Sequence, residues 1–168
     1  MRPAFITCLV LAAAACAPVQ PPAPAPAPQT AYVRAPFDAV WARAVQFFAD
    51  TRVPISTIDK SSGLLVSKDF GLSAGLFKRW GNCGTLKDGS PAIKNVDAWL
   101  EKGMARAYAD FNVFVRPDGD STAVQVNSGI RAEALNPMAQ NRLTPVNCVG
   151  NGAFERDLVE YIRANAGR

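Results

Sequence analysis

The sequence predicts an α+β fold, an antiparallel sheet packed against an N-terminal and a C-terminal helix in the order β-α-β-β-loop-β-β-α. Three observations carry this. Phe37, Val40, Trp41, Ala44 and Phe48 recur at helical spacing, which gives one apolar stripe. Phe154, Leu158, Tyr161 and Ile162 give a second stripe near the other end. Between them, Ala105 to Arg116 and Thr122 to Ile130 alternate apolar and polar residues around Pro117-Asp118-Gly119-Asp120, the pattern of a hairpin with one buried face. Two helical stripes and one sheet face each need cover, and they cover one another.

The first element is not part of that domain. Arg2 precedes an apolar run from Ala4 to Ala15, and no acidic residue appears before Asp38. A positive start, a short apolar middle and small residues at a cut site form a secretory signal over residues 1–15. The run is too short to span a bilayer, which takes about 20 residues. Ordinary cleavage at the Ala13-x-Ala15 pattern would leave a soluble protein with a free thiol at Cys16.

Residues 16–30 form a tether. Pro18, Pro21, Pro22, Pro24, Pro26 and Pro28 alternate largely with alanine and carry no charge between them. Such a segment builds no core and favours an extended spacer of about 3.1 Å per residue. Residues 31–168 then read as one globular domain, long enough to bury roughly two thirds of its unfolded surface.

Within the domain, Tyr32-Val33-Arg34 predicts a short opening strand. Pro36 suits the first position of a helix reaching Asp50. Val53 to Ile58 and Leu64 to Phe70 predict a hairpin around Asp59-Lys60-Ser61-Ser62-Gly63, with Leu64, Val66 and Phe70 on one side. Gly71 to Gly103 reads as an irregular, glycine-rich loop with a short helical turn around Trp99. Asn151 is placed to cap the final helix, with Glu155 at its start and Arg163 near its end to suit the macrodipole.

Eighteen Lys and Arg against 14 Asp and Glu give a net charge of +4, which falls by one when Arg2 leaves with the signal. Lys78-Arg79 is the single basic doublet of the domain, too short for a nucleic-acid footprint. No histidine is present. This excludes Ser-His-Asp and Cys-His nucleophiles, His-bearing zinc sites and histidine pH switches. No cofactor or metal is expected.

Cys8 leaves with the signal, and Cys83 and Cys148 remain in the domain. In an oxidising compartment two cysteines predict one disulfide. A redox role is disfavoured because catalytic pairs usually lie close, as in Cys-x-x-Cys.

Each patch that suggests chemistry has a plainer reading. Lys60-Ser61-Ser62 does not match the Ser-x-x-Lys spacing of a nucleophile and reads as a turn. Asp118 and Asp120 flank Gly119 as turn formers and lack the spacing of a calcium loop. Glu101 with Asp110, or Glu133 with another acid, lacks any feature marking a glycosidase pair. Phe77-Lys78-Arg79-Trp80 is the candidate partner-binding surface, since aromatic and arginine side chains anchor interfaces. Its alternative is that Trp80 is core near the disulfide.

Two resemblances add to this reading. Ala13-Ala14-Ala15-Cys16 resembles the lipobox of bacterial lipoproteins, with Ala13 where Leu is usual. That resemblance implies lipidation of Cys16, which would become the first mature residue. Ala17, which is not Asp, implies sorting to the outer membrane. Pro36-Phe37-Asp38-Ala39-Val40-Trp41, then Ile58 to Leu65, Asn82-Cys83-Gly84, and Asn147-Cys148 with Gly152-Ala153-Phe154-Glu155 are similar in layout to the helix-grip domains of the BamC-like lipoprotein family. The resemblance covers most of residues 31–165 by pattern. It implies a non-enzymatic lipoprotein held on the periplasmic face of the outer membrane and bound to an envelope protein, with an accessory role in β-barrel assembly. The cysteine pair is not a mark of that family, so a sister family of small envelope lipoproteins fits better. The alternative is a module that binds a small apolar or glycan ligand in the cleft between sheet and helix.

Overall fold

The computed structural model describes residues 19–25, 30–86, 96–136 and 139–167. The expected signal and the expected lipidation site, Cys16, lie outside them. The fold is α+β, as the periodicities predict. Strands β2 (Thr30–Val33), β3 (Thr57–Asp59), β4 (Leu64–Gly71), β7 (Ala105–Asp118), β8 (Ser121–Asn136) and β9 (Arg142–Val146) form an antiparallel sheet. Its order is β2-β8-β7-β4-β3, and β9 also pairs with β8. Helices α1 (Phe37–Asp50), α2 (Ala74–Trp80), α3 (Val96–Glu101) and α4 (Ala153–Asn165) complete the fold, with buried residues of α1, α2 and α4 sharing a core with the sheet.

Pro36 is the N-cap of α1 rather than its first helical residue, with φ −60° and extended ψ 149°. Its fixed φ costs nothing there, and it has no N–H to leave unpaired. Val40, Trp41, Ala44, Phe47 and Phe48 are the buried face of α1. The Thr51 hydroxyl donates to the Phe47 carbonyl at 2.6 Å and closes the last turn.

The β7–β8 hairpin is the frame. Asp118 pairs with Ser121, so Gly119-Asp120 is the whole turn, with Gly119 at φ +56°. Ala107, Ala109, Phe111, Val113 and Val115 are buried, as are Val124, Val126 and Ile130. The alternation in the sequence therefore marks the helix-facing side of both strands.

On β4 the expected face is wrong. Leu65 pairs with Val113 and Ser67 with Phe111, so Leu65 and Ser67, not Leu64 and Val66, share the core side. Register then slips between Ser67 and Phe70, and Phe70 pairs with Ala109 on that same side. A bulge inserts one residue, which moves every later side chain to the other face. A polar cluster holds the bulge. Asp69 stands at φ +52°, and its N–H donates to the Asp110 carboxylate at 2.8 Å. Arg131 donates to Asp110 at 2.7 Å and also to Asp69. The Arg131 guanidinium lies 5.1 Å from the Tyr108 ring centre.

Phe154 of α4 joins the layers. It stacks on Phe111 with ring centres 3.6 Å apart. Edge contacts tie it to Trp80 at 5.1 Å, Phe47 at 5.7 Å and Phe48 at 6.0 Å. Leu158 and Ile162, one and two turns on, are fully buried beneath α1 and the sheet.

The segment expected to be an extended spacer is not free throughout. Val19–Gln20 (β1) pairs antiparallel with Thr85–Leu86 (β6). Gly84 admits this approach, because at φ +80° a Cβ would lie 2.5 Å from the Gln20 carbonyl oxygen. No helix among the described residues is long and apolar enough to cross a membrane.

Candidate functional site

The expected contact segment Phe77-Lys78-Arg79-Trp80 is a helix rather than a loop. The Ser73 hydroxyl caps it by accepting from the Leu76 N–H at 3.3 Å. Phe77 and Trp80, three apart, turn inward, with exposures of 5% and 2%. Lys78 and Arg79 face solvent. The quartet is therefore split, and its aromatic half is core. Three-residue spacing puts Phe77 and Trp80 on one helical face, and the Phe111–Phe154 pair gives that face its cover.

Asp157 on α4 fastens α2. Arg79 donates to it through Nη2 at 2.8 Å and pairs through Nε at 2.8 Å. The Trp80 indole N–H donates to Asp157 Oδ2, the oxygen that Arg79 Nε also meets, at 2.9 Å. The hydrogen bond and then the charge of Asp157 push the Arg79 pKa upward. Asn151 works at the same seam. Its N–H donates to the Trp80 carbonyl and its side-chain amide to the Arg79 carbonyl, each at 2.9 Å. Its side-chain oxygen Oδ1 accepts from the Ala153 N–H at 2.9 Å, which is the expected capping, although Gly152 at φ +78° holds the cap position itself.

Cys83 and Cys148 are bonded, as expected. Beside them Gly81–Asn82 (β5) pairs antiparallel with Val149–Gly150 (β10). The bridge thus clamps the entry to α4 onto the exit from α2. Neither two-residue strand is legible in the sequence, because each exists only through its partner.

A cleft of about 410 Å³ opens where α4 passes the start of β2. Thr30, Ala31, Val126 and Val159 line it, with Glu155, Arg156, Glu160 and Arg163 at the walls. The Ser128 hydroxyl donates to Glu155, and Arg163 donates to the Tyr32 carbonyl at 3.5 Å. The cleft lies between the β2 edge of the sheet and the last helix. In the sequence Val126 reads as an inward-facing strand position, and Val159 falls outside the apolar stripe of the last helix, so neither marks the cleft. A second, smaller hollow of about 260 Å³ lies between Tyr32, Arg116 and Pro117. Tyr32 is 58% exposed there.

The other polar patches are structural. In the 59–63 turn, Ser61 donates to Asp59 through N–H at 2.9 Å and hydroxyl at 2.6 Å, and the Ser62 hydroxyl donates at 2.7 Å. The serine hydroxyls, first Ser61 and then Ser62, hold the Asp59 pKa down at about 2. Lys60 pairs with Asp38 at 2.8 Å, away from both serines. Asp110 is engaged by Arg131, and Glu133 stands opposite Arg106. Among the described residues no three His, Cys, Asp or Glu gather as metal ligands. No protein-family model matches the chain, and no curated protein matches its sequence.

Proposed function

We propose that the chain is a non-enzymatic lipoprotein, lipidated at Cys16, held on the periplasmic face of the outer membrane, whose domain binds another envelope protein. The observation that carries the reading is the Cys83–Cys148 bridge, since disulfides of this kind persist in oxidising compartments. It agrees with a signal-like leader ending at Cys16. Two acyl chains at that cysteine would give a stable anchor where one gives only transient binding. An accessory role in β-barrel assembly follows from the BamC-like layout and is the leading version.

A second reading is favoured by the cleft between β2 and α4, whose size suits a small apolar or glycan ligand. Metabolic labelling with a fatty acid tests the anchor: incorporation is expected, and Cys16→Ser abolishes it. Crosslinking in intact envelopes separates the two readings. A defined protein adduct supports the first; co-purifying lipid or sugar without any protein adduct replaces it with the second.

A further inference from the structure

Cys16 is held closer to the domain than the proline content of the linker implies. A free spacer from Cys16 to Thr30 in polyproline geometry would reach about 43 Å. Val19 and Gln20 instead pair antiparallel with Leu86 and Thr85. Partners across such a pair stand about 5 Å apart. The three residues of chain from Val19 back to Cys16 reach at most about 11 Å, whatever their conformation. Cys16 therefore lies within roughly 16 Å of Leu86 for as long as the pair is formed.

Gly84 provides the seat for this pairing. Its N–H donates to the Asn82 side-chain oxygen at 2.9 Å, which turns the chain between β5 and β6. At φ +80° a Cβ would lie 2.5 Å from the Gln20 carbonyl oxygen, 2.8 Å from the Pro22 nitrogen and 3.0 Å from the Pro21 carbonyl carbon. Three consecutive linker residues thus lay their backbone on a residue without a side chain. Pro22 is half-buried there, while Gln20, Pro21 and Ala23 are exposed. Further on, the linker meets the domain again at Thr30, where β2 joins β8. It is fastened at both ends.

The seat lies beside the bridge and far from the hairpin tip. Cys83, next to Gly84, is bonded to Cys148. Gly81 pairs with Gly150, and a Cβ on Gly150 would lie 3.0 Å from the Ser128 hydroxyl oxygen. From Ser128 the Gly119-Asp120 turn is about 27 Å away along β8 at the usual rise per residue.

We propose that the β1–β6 pair is a strap that seats the Cys83–Cys148 seam against a phospholipid surface, with the β7–β8 turn directed away from it. The strap acts through the acyl group proposed at Cys16 and rests on that reading. The length of chain decides what this face meets: acyl chains attached within roughly 16 Å of Leu86 bring the headgroup layer to this side of the domain. Nothing in the strap opposes the contact, since no acidic residue occurs before Asp38 and lipid phosphates therefore repel no part of the segment. A protein partner is left the faces remote from the bridge.

Two measurements test the strap. In the unacylated Cys16→Ser chain, nuclear Overhauser contacts are expected between residues 19–20 and 85–86, and Gly84→Ala abolishes them. Their absence from the Cys16→Ser chain overturns the strap, whatever is found at Cys16 in envelopes. The acylated protein, extracted from envelopes, is then placed in vesicles of phosphatidylethanolamine and phosphatidylglycerol with nitroxide-labelled headgroups. A fluorescent amino acid at Thr85 should be strongly quenched, and one at Asp120 little. A flexible glycine-serine insertion after Ala17 keeps the contacts between residues 19–20 and 85–86 but lowers the quenching at Thr85 toward that at Asp120, which separates tether length from any damage done by Gly84→Ala. Equal quenching at the two positions without the insertion overturns the seating. A chain that keeps those contacts but incorporates no fatty acid retains the strap and loses the anchor, so the two failures are distinct.

Discussion

Gly63 holds a position that excludes a side chain. At φ +70° a Cβ would lie 1.9 Å from the Val115 carbonyl oxygen, and the Gly63 carbonyl accepts from the Val115 N–H at 2.8 Å. Gly63→Ala meets both backbone strain and a clash with main chain that cannot give way. A loss of about 3 kcal/mol is expected in chemical denaturation. Asp59, four residues earlier, makes a pH prediction. Its folded pKa of about 2 lies below the ordinary 3.8. Stability from that turn is therefore complete above 3.8 and is lost as pH falls toward about 2. Asp59→Asn should flatten the stability curve across that acid window and leave its shape at neutral pH unchanged. Both residues were legible as a turn, since Asp-Lys-Ser-Ser-Gly supplies the Asx acceptor and the positive φ locally. The face of β4 was not legible, because its bulge depends on Asp110 and Arg131, distant in sequence from Asp69.

The elements divide by where their stabilisation originates. Helix α1 and the β7–β8 hairpin carry their own periodicity over ten or more residues and were visible in the sequence. Helix α2 has seven residues, a glycine in its first turn and two apolar anchors, so its sequence passes for a loop. Strand β9 contains Pro145, a residue that argues against a strand. The pairing resolves this: Thr144 and Val146 turn their main-chain groups to β8, and Pro145, between them, lacks only an N–H that would point away. The seam between α2 and α4 makes a direct test. Asp157→Ala strands the Trp80 indole N–H in the core and removes the partner of Arg79. A cost of about 2 kcal/mol is expected, read as a lowered denaturation midpoint. Reducing the Cys83–Cys148 bridge, with its sequence separation of 65, should cost up to about 4 kcal/mol. Comparing unfolding with and without a dithiol reductant checks this.

At the scale of the whole molecule, the sheet is assembled from the middle of the chain and closed by its last helix. Phe154 meets Phe47, Phe48, Trp80 and Phe111, so three other regions of sequence converge on its ring. A chain ending at residue 150 keeps every strand of the main sheet and loses that ring. It is expected to unfold without a cooperative transition in calorimetry, whereas the full chain shows one. The α+β class was legible at this scale because two helices and a hairpin suffice to specify it. The cleft was not, because it forms where α4 crosses β2, two elements at opposite ends of the domain.

The late arrival of Phe154 bears on how such a polypeptide travels. Until the ribosome has delivered the C-terminal helix, the socket formed by Phe47, Phe48, Trp80 and Phe111 stands vacant. A nascent chain in that condition has no finished interior to lock it. It stays loose until its tail has followed, which suits the export proposed above.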